Sequence, residues 1–321
     1  KMEPDVLLDQ ALEQIDESRE AIITALAYLG GLVVLRSSYK CASWLWRTLL
    51  RPGKDLRRRY MVKERETWAV VTGASDGLGK AFALELAARG FNIVLIGRTP
   101  SKLRAAQDEV SELYVKTKAI ACDLSAADDT FYLDLRDQLA GLDVAVLVNN
   151  AGIAVDPAVP LWQDANCETL LGCNVKGFTK ILVTILPMLL KRGNGGIINV
   201  SSATTFFMLP FQASYCASKA YNDRLSQVLR VEVSDHKIDV LSFVPFFCAT
   251  SIVPFGRSWL VASPGQAVRG ALRCLGHDAR TFGWFSHSLQ GAVLSLLPEW
   301  VWEKGILMNM RSHSARQHKS V

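Results

Sequence analysis

Short apolar runs alternate with longer helix-forming segments through most of the chain. Runs at residues 68–72, 92–96, 118–122, 144–148, 197–200 and 239–243 have the length and apolar content of buried strands. Between them lie segments with helical character, such as residues 80–89 and 166–190. Strands that alternate with helices predict an α/β protein with a Rossmann-type, doubly wound parallel sheet.

The first predicted strand runs directly into a glycine-rich turn and a helix. This order suits a dinucleotide-binding loop, because glycines let the chain turn sharply and let a pyrophosphate approach the helix N-terminus. The spacing TGxxxGxG differs from the GxGxxG pattern, and a glycine-rich turn without a ligand is the alternative. The candidate contacts in this loop are Gly73, Ser75, Asp76, Gly77, Leu78 and Gly79.

The second predicted strand ends in Gly97-Arg98, with Lys102 one helical turn further on. An acidic residue at this place would hydrogen-bond the adenosine ribose and repel a 2′-phosphate. Its absence, together with a guanidinium, favours NADP(H) over NAD(H). A solvated surface arginine is the other interpretation of Arg98.

The third and fourth predicted strands also end in polar or small residues. Strand-end residues line the crevice of an open parallel sheet. Asp123 is therefore expected to meet the adenine, and the turn containing Asn149, Ala151 and Gly152 to pack against the cofactor. A purely structural role for Asn149 is equally compatible with the sequence.

Tyr215 and Lys219 stand four residues apart in a helix-forming segment, so their side chains share one helix face. A nearby cation lowers the pKa of a phenol, and the pair could then move a proton to or from an oxygen. By itself the spacing also fits a solvated lysine beside a half-buried tyrosine.

Two further polar residues stand at notable positions. Asn174 lies inside a predicted helix, where asparagine is mildly unfavourable, so its presence there calls for an explanation. Ser202 follows the fifth strand, thirteen residues before Tyr215.

Five motifs occur in order: TGxxxGxG, NNAG, the helix asparagine, a serine thirteen residues before a tyrosine, and YxxxK. Together they resemble the short-chain dehydrogenase/reductase family over about residues 66–252. The resemblance implies a catalytic tetrad of Asn174, Ser202, Tyr215 and Lys219. Tyr215 would supply a proton, Lys219 would lower its pKa and bind the nicotinamide ribose, Ser202 would hydrogen-bond the carbonyl oxygen, and Asn174 would hold a relay water.

The resemblance further implies that Pro245 and Thr250, which follow the sixth strand, lie beside the cofactor. Segments 245–251, 258–261, 286–288 and 297–300 resemble the 17β-hydroxysteroid dehydrogenase type 3 / type 12 branch. Within it they resemble the hydroxysteroid dehydrogenase-like group, some members of which carry Phe in place of the catalytic Tyr and are regarded as inactive. Here Tyr215 is present, and Phe246 stands where glycine is common.

This branch implies NADPH-dependent reduction of a carbonyl on a lipid, either a ketosteroid or a 3-oxoacyl-CoA. A catalytically silent NADP-binding scaffold protein is the alternative. Aromatic and aliphatic residues after the sixth strand suit a flat or long apolar substrate, although they could equally form core or a membrane-facing surface. They are Phe246, Phe247, Ile252, Phe255, Trp259, Phe282, Trp284 and Phe285.

The N-terminal part has a different pattern. Residues 1–20 are an acidic tail, residues 21–35 carry no charge, and basic residues follow up to Arg59. The apolar run is shorter than the ~20 residues of a spanning helix, so a buried helix, half a hairpin or an interfacial membrane anchor all fit. Because the basic residues lie after the run, a cleaved secretory signal does not fit. If the run spans, the basic flank and the domain after it stay on the cytosolic or matrix side.

The predicted organisation is a tail (1–20), an apolar anchor with a basic linker (21–65), the Rossmann domain (66–255), a substrate-loop and apolar extension (256–310) and a basic tail (311–321). Net charge is only +5, which gives no indication of a nucleic-acid partner. Seven cysteines without a CxxC pair and five histidines without HExxH indicate a reducing compartment and no metal site. The resemblance implies a homodimer through the helices beginning near Asn166 and Ser214, in the endoplasmic reticulum or the mitochondrion.

Overall fold

The computed structural model describes residues 4–154, 159–250, 256, 258–298, 300, 305 and 307, and side chains at residue 14 and from residue 18 onward within these ranges. The chain forms two compact units, Lys1–Pro52 and Gly53–Val321. All seven cysteines are free thiols.

The first unit is one long helix. It comprises α1 (Pro4–Leu45) and a π-helical continuation, Trp46–Leu50. The most apolar 18 residues of the helical stretch Ser18–Leu50 have a mean hydropathy of 1.6, and none of them is buried. At about 1.5 Å per residue, a helix of 33 residues exceeds the ~30 Å of a hydrocarbon core. Its length and composition therefore permit a membrane span.

The second unit is built on a seven-stranded parallel sheet of order β3-β2-β1-β4-β5-β6-β7. The strands are β1 (Thr67–Thr72), β2 (Asn92–Gly97), β3 (Thr117–Ala121), β4 (Asp143–Asn149), β5 (Gly195–Val200), β6 (Ile238–Phe243) and β7 (Arg280–Thr281). The strand order reverses between β1 and β4, and ligands of such sheets bind at this point, outside the carboxyl ends of the strands. The predicted Rossmann-type fold is confirmed.

Helices cover both faces of the sheet. They are α2 (Leu56–Tyr60), α3 (Gly77–Ala87), α4 (Pro100–Ser111), α5 (Asp129–Leu139), α6 (Cys167–Leu171), α7 (Phe178–Arg192), α8 (Ala213–Glu232), α9 (Pro264–Cys274) and α10 (Phe285–Leu296). One core cluster contains Phe82 of α3 and Leu272 of α9, and the other contains Leu135 of α5 and Ile181 of α7. The segment Cys167–Arg192 is apolar enough to span a membrane, but 44% of its most apolar 18-residue window is buried, so core packing accounts for its composition.

Two elements differ from the sequence-based expectation. The segment predicted as one helix over 166–190 contains a π-helical stretch, Gly172–Gly177, between α6 and α7. The two-residue strand β7 has no signal in the hydrophobic pattern because it is so short. Arg280 of this strand ties it to α8, with its Nε 2.9 Å from the Asp223 carboxylate.

The folded unit also begins earlier than expected, after Pro52 rather than after the charged linker that ends at residue 65. Asp55 caps α2 by accepting hydrogen bonds from the amides of Arg57 and Arg58. Leu56 and Tyr60 are buried, and the Tyr60 hydroxyl donates to Asp239 over 2.6 Å. Burial of these two side chains is why this charged segment is part of the domain.

A charged cleft of about 640 Å³ lies where β5 and β6 begin, at the edge of the sheet opposite the strand carboxyl ends. It is lined by Lys54, Asp55, Arg58, Arg59, Asn194, Ser234, Lys237, Ile238 and Asp239. None of these residues belongs to the predicted catalytic or cofactor set, so this cleft is separate from the candidate active site.

Candidate active site

The glycine-rich loop turns tightly between β1 and α3. Gly73 and Gly77 have φ angles of 64° and 55°, a left-handed region that favours glycine. A Cβ atom on Gly79 would lie 2.1 Å from the Gly73 carbonyl oxygen. Asp76 caps α3 by accepting a hydrogen bond from the Gly77 amide over 2.6 Å. At these three glycines the loop presents backbone, without a side chain, close to the N-terminus of α3.

The other predicted loop residues surround this turn. Ser75 is half-buried and its Oγ would be 3.3 Å from a Cβ on Gly97. Leu78 is half-buried and packs against the core. The Thr250 methyl group would be 3.1 Å from a Cβ on Gly77, so the segment after β6 closes over the loop at this point.

Thr72 and Asn150, which the sequence reasoning did not single out, support the loop. The Asn150 side-chain amide donates to the Thr72 carbonyl over 2.9 Å. In return the Thr72 hydroxyl accepts from the backbone amides of Asn150 and Ala151 over 2.9 and 3.0 Å. These bonds tie the carboxyl ends of β1 and β4 together. Asn149 is fully buried and donates to the Phe178 carbonyl over 2.9 Å, so its side chain anchors α7.

Arg98, Lys102 and Asp123 gather at the carboxyl ends of β2 and β3. Arg98 and Lys102 are exposed, and Arg98 Nη1 lies 3.9 Å from Asp123 Oδ2. Burial opposes ionisation of Asp123, but hydrogen bonds from Ser125 and the Arg98 charge outweigh it and lower the pKa of Asp123. Gly97 leaves room beside Ser75 where a larger residue would close the gap.

Ser202, Tyr215 and Lys219 meet above the end of β5. Ser202 caps a 3₁₀ turn, accepting a hydrogen bond from the Thr204 amide over 3.3 Å, and it lies close enough to the Tyr215 phenol to lower its pKa. Lys219 is buried, donates to the Val200 carbonyl over 3.1 Å, and has its Nζ 5.8 Å from the centroid of the Tyr215 ring. The neighbouring Ser201 has a different task, since its hydroxyl donates to the Lys219 carbonyl over 2.6 Å and fixes α8 to β5.

Asn174 lies in the π-helical stretch. This position accounts for an asparagine where helix propensity disfavours it. π-helical turns occur frequently at functional sites. The Asn174 side chain accepts from the Ile153 amide over 2.9 Å and donates to the Ile153 carbonyl and the Ser218 hydroxyl over 2.8 and 3.0 Å. A Cβ on Gly152 would lie 3.0 Å from Lys219 Nζ and 3.2 Å from Asn174 Oδ1. The four predicted catalytic residues are therefore brought together, and Gly152 leaves space beside Lys219 and Asn174.

The expected lowering of the Tyr215 pKa by Lys219 is not found. Burial raises the pKa of Tyr215, and the neighbouring Ser202 hydroxyl only partly opposes this. Burial also lowers the pKa of Lys219 to about 8. The physical reason is that the ammonium faces the tyrosine ring and the Val200 carbonyl, so desolvation dominates for both groups.

Pro245 and the aromatic residues form the wall beside Ser202. Pro245 is buried and its carbonyl accepts from the Ala203 amide over 2.9 Å. The ring of Phe246 packs on Phe207 and Phe282 with centroids 5.6 and 5.5 Å apart. Phe207 was missed from the sequence because it follows Ser202 rather than the sixth strand.

A second group of rings adjoins this wall. Trp259 packs against Trp284 and Phe285 with centroids 6.3 and 6.2 Å apart. Phe247 and Trp259 expose 46% and 61% of their surface, so part of this group faces solvent. Two predicted lining residues, Ile252 and Phe255, lie outside the described residues.

A parallel sheet with a glycine turn at its switch point is the architecture of the Rossmann-type dinucleotide-binding proteins. Within that class the chain belongs to the short-chain dehydrogenase family, because the family model described as short chain dehydrogenase matches residues 67–260. Human inactive hydroxysteroid dehydrogenase-like protein 1 is 36% identical over 263 residues, which are 79% of each chain. The rat very-long-chain 3-oxoacyl-CoA reductase is 36% identical over 246 residues, 75% of this chain and 78% of the relative.

Solved structures agree on the fold. A 7β-hydroxysteroid dehydrogenase structure superposes with a TM-score of 0.66 at 23% identity, covering 74% of this chain and 93% of that chain. A short-chain dehydrogenase from Sphingobium yanoikuyae, in complex with NADPH, has a TM-score of 0.58 at 28% identity, covering 65% and 83%.

Proposed function

We propose that this protein is an NADPH-dependent reductase of a carbonyl group on a lipid substrate. The observation that carries the proposal is the convergence of two side chains on Tyr215: Ser202 lies close enough to the phenol to lower its pKa, and the buried Lys219 ammonium lies 5.8 Å from the centroid of the tyrosine ring. A hydroxyl and a phenol that lie side by side can both donate to one carbonyl oxygen.

Each residue then has a task in the reduction. When bound, NADPH would supply the hydride that the carbonyl carbon accepts. Tyr215 donates its proton to the carbonyl oxygen, and the raised pKa of Tyr215 keeps it protonated for this role. Ser202 stabilises the negative charge that develops on that oxygen. Lys219, still mostly charged at neutral pH with a pKa of about 8, stabilises the phenolate that Tyr215 becomes. Asn174 fixes the turn that faces Lys219 and would hold the water that relays protons to Lys219.

We propose the predicted residues as the cofactor site. Gly73, Gly77 and Gly79 would admit the pyrophosphate to the N-terminus of α3, where the helix dipole favours negative charge. Arg98 and Lys102 would hold the 2′-phosphate, because two exposed cations stand beside Gly97 where an acid would repel that group. The three glycines support a bound dinucleotide, and the cations beyond β2 support NADP(H) over NAD(H).

The substrate would be a ketosteroid or a 3-oxoacyl-CoA. The aromatic wall around Phe246 supports an apolar body of either shape. The similarity to the very-long-chain 3-oxoacyl-CoA reductases supports the acyl thioester. NADPH oxidation over a panel of ketosteroids and 3-oxoacyl-CoAs tests the proposal, with Tyr215→Phe as the comparison. Equal rates for the two proteins with every substrate would reject it.

A second candidate function is that of a catalytically silent NADP-binding scaffold. The observation in its favour is the 36% identity to a human relative that is named inactive. Under this hypothesis the protein quenches and shifts the fluorescence of NADPH on binding but consumes none with any substrate in the panel. Turnover that depends on Tyr215 would exclude it.

We further propose that the protein is anchored in an intracellular membrane by Ser18–Leu50, in the endoplasmic reticulum or the mitochondrion. The apolar, fully exposed surface of this helix supports an anchor, and the basic residues that follow, Arg57 and Arg58 among them, suit an anionic membrane surface. Resistance to extraction by alkaline carbonate is expected for the full chain. Its loss is expected for a Leu26→Asp, Leu32→Asp variant, and extraction of the unaltered chain would exclude the anchor.

A homodimer through α7 and α8 is the proposed assembly. Val183 on α7 and Val228 and Val231 on α8 expose 63%, 46% and 68% of their surface, and apolar side chains exposed on neighbouring helices suit a protein contact. Light scattering in detergent that finds a monomer for the full chain would reject it.

A further inference from the structure

Two segments of the proposed substrate side meet beside α10. The Ala249 amide donates to the Ala262 carbonyl over 2.9 Å, and the Ala262 amide donates to the Phe247 carbonyl over 3.2 Å. These bonds join the chain just after β6 to the chain just before α9. The aromatic residues Phe247 and Trp259 lie on these two segments, so their position depends on how the segments are held.

Three side chains from the first turns of α10 hold backbone carbonyls of these segments. His287 Nε2 lies 3.2 Å from the Phe247 oxygen, Ser286 donates to the Trp259 oxygen, and Gln290 donates to the Leu260 oxygen over 3.3 Å. Ser286 and His287 are 1% and 0% exposed. The Phe247 carbonyl thus accepts from both Ala262 and His287, at the place where the two segments join.

His287 has one state that fits this position. A carbonyl oxygen only accepts, so Nε2 must carry the hydrogen, and Nδ1 has no hydrogen-bond partner among the described residues. The ring packs on Trp284 and Phe246 with centroids 5.2 and 5.8 Å apart. Burial lowers the pKa of His287 to about 4, which keeps it neutral under ordinary conditions.

The contacts of Phe246 connect His287 to the wall of the candidate active site. Phe246 packs on Phe207 and Phe282 as well as on His287, and it follows Pro245, whose carbonyl holds the turn that begins at Ser202. Ser202 itself is positioned by its own turn, and Lys219 by Val200. A displaced His287 would therefore shift the aromatic wall more than the reacting groups.

We propose that His287 is a positioning residue for substrate binding: by holding the Phe247 carbonyl and packing on Phe246, it sets the aromatic wall that receives the apolar body of a steroid or a fatty-acyl chain. This rests on the proposed reductase function. His287 touches neither the hydride donor nor the reacting carbonyl. Its removal is expected to change the recognition of the apolar part of the substrate and to leave NADPH binding and the chemical step as they are.

The kinetic test compares His287→Phe, which keeps a ring but loses the donor, with His287→Gln, whose amide can reach the same carbonyl. With 3-oxohexadecanoyl-CoA and NADPH, KM for the acyl thioester is expected to rise about five- to tenfold in His287→Phe, the effect of one buried neutral hydrogen bond. We expect kcat and KM for NADPH to stay within about twofold, and His287→Gln to restore most of KM. A parallel rise in KM for NADPH, or an equal defect in His287→Gln, would overturn the proposal.

A second measurement requires no turnover. Amide hydrogen exchange of peptides containing Ala249 and Ala262 is expected to accelerate in His287→Phe, whereas the peptide containing Tyr215 and Lys219 stays unchanged. Unchanged exchange at both alanines would overturn the role of His287 even in an active enzyme. Absence of turnover in the unaltered protein would instead reject the proposed reductase function.

If His287→Phe does not fold, Gln290→Leu provides the test in the next turn of α10. It removes the bond to the Leu260 carbonyl at a partly exposed position. Faster exchange at Ala262 is expected, with a smaller rise in KM for the acyl thioester. Exchange equal to that of the unaltered protein would contradict the proposal.

Discussion

Ser202 lies beside the phenol of Tyr215 and lowers its pKa against the effect of burial, although the two residues belong to different elements, one capping the turn after β5 and one on α8. Ser201 makes this possible, because its hydroxyl binds the Lys219 carbonyl and holds α8 against the end of β5. The two adjacent serines thus have different roles: Ser201 fixes α8, and Ser202 faces the phenol.

Ser202→Ala removes a donor to the carbonyl oxygen and the hydroxyl that lowers the pKa of Tyr215. We expect kcat to fall by about 10²–10³. Reduction requires protonated Tyr215, so activity is lost as pH rises through its pKa, and this alkaline limb should move to higher pH in the variant. The profile of kcat/KM against pH measures it. Ser201→Ala is the matched control, for which a lower melting temperature with a smaller loss of kcat is expected.

Lys219→Met should stabilise the protein while abolishing most activity. The pKa of Lys219 falls from 10.5 to about 8 on burial, so the folded state binds fewer protons than the unfolded state between these two values. The free energy of unfolding therefore rises with pH in this window, and the penalty of the buried charge is complete below about pH 8. A shift of this size corresponds to roughly 3 kcal/mol, from which the lost bond to Val200 subtracts about 1 kcal/mol.

Denaturant unfolding in detergent at pH 7 and at pH 10 tests this expectation. The variant should gain about 2 kcal/mol at pH 7 and lose most of that advantage at pH 10. The exposed Lys191→Met on α7 should change little at either pH. A variant that is less stable than the unaltered protein at pH 7 would show that the buried ammonium is better compensated than its surroundings indicate.

Arg98→Ala should relax the choice of cofactor. Loss of the guanidinium removes a charge-assisted contact with the 2′-phosphate, so KM for NADPH is expected to rise about tenfold or more. KM for NADH should stay nearly constant, since NADH lacks that phosphate. Arg104→Ala, an exposed arginine further along α4, serves as the control. Equal changes for the two cofactors would place the 2′-phosphate elsewhere.

Gly79→Ala should destroy the cofactor loop. The added Cβ would meet the Gly73 carbonyl oxygen at 2.1 Å, so backbone must move at the N-terminus of α3. We expect loss of NADPH binding by fluorescence and a lower melting temperature. Gly141→Ala, where a Cβ meets nothing within 4 Å, should change neither. Normal NADPH binding by Gly79→Ala would mean that the cofactor does not use this loop.

The six longer strands could be predicted from the sequence, and so could the meeting of Ser202, Tyr215 and Lys219, because glycine turns and strand ends leave strong local signals. Other features depend on packing between distant segments. The π-helical turn around Asn174, the burial of Tyr60 in a charged segment, and the bond between Thr72 and Asn150 have no local pattern. The direction of the Tyr215 pKa was predicted wrongly, because spacing along a helix shows that a cation is near but not how deeply both groups are buried.

The central claim is that Tyr215 delivers the proton in a reduction, and a comparison of two tyrosines on α8 tests it most directly. Tyr221 is 40% exposed and its hydroxyl lies 2.9 Å from the Thr179 hydroxyl, so Tyr221→Phe controls for the same chemical change on the same helix. Single-turnover oxidation of bound NADPH by 3-oxohexadecanoyl-CoA or a ketosteroid should be slower by about 10²–10⁴ in Tyr215→Phe and nearly unaltered in Tyr221→Phe, with NADPH affinity retained by both. If the unaltered protein and Tyr215→Phe oxidise NADPH at the same rate, or neither oxidises it, the claim is contradicted.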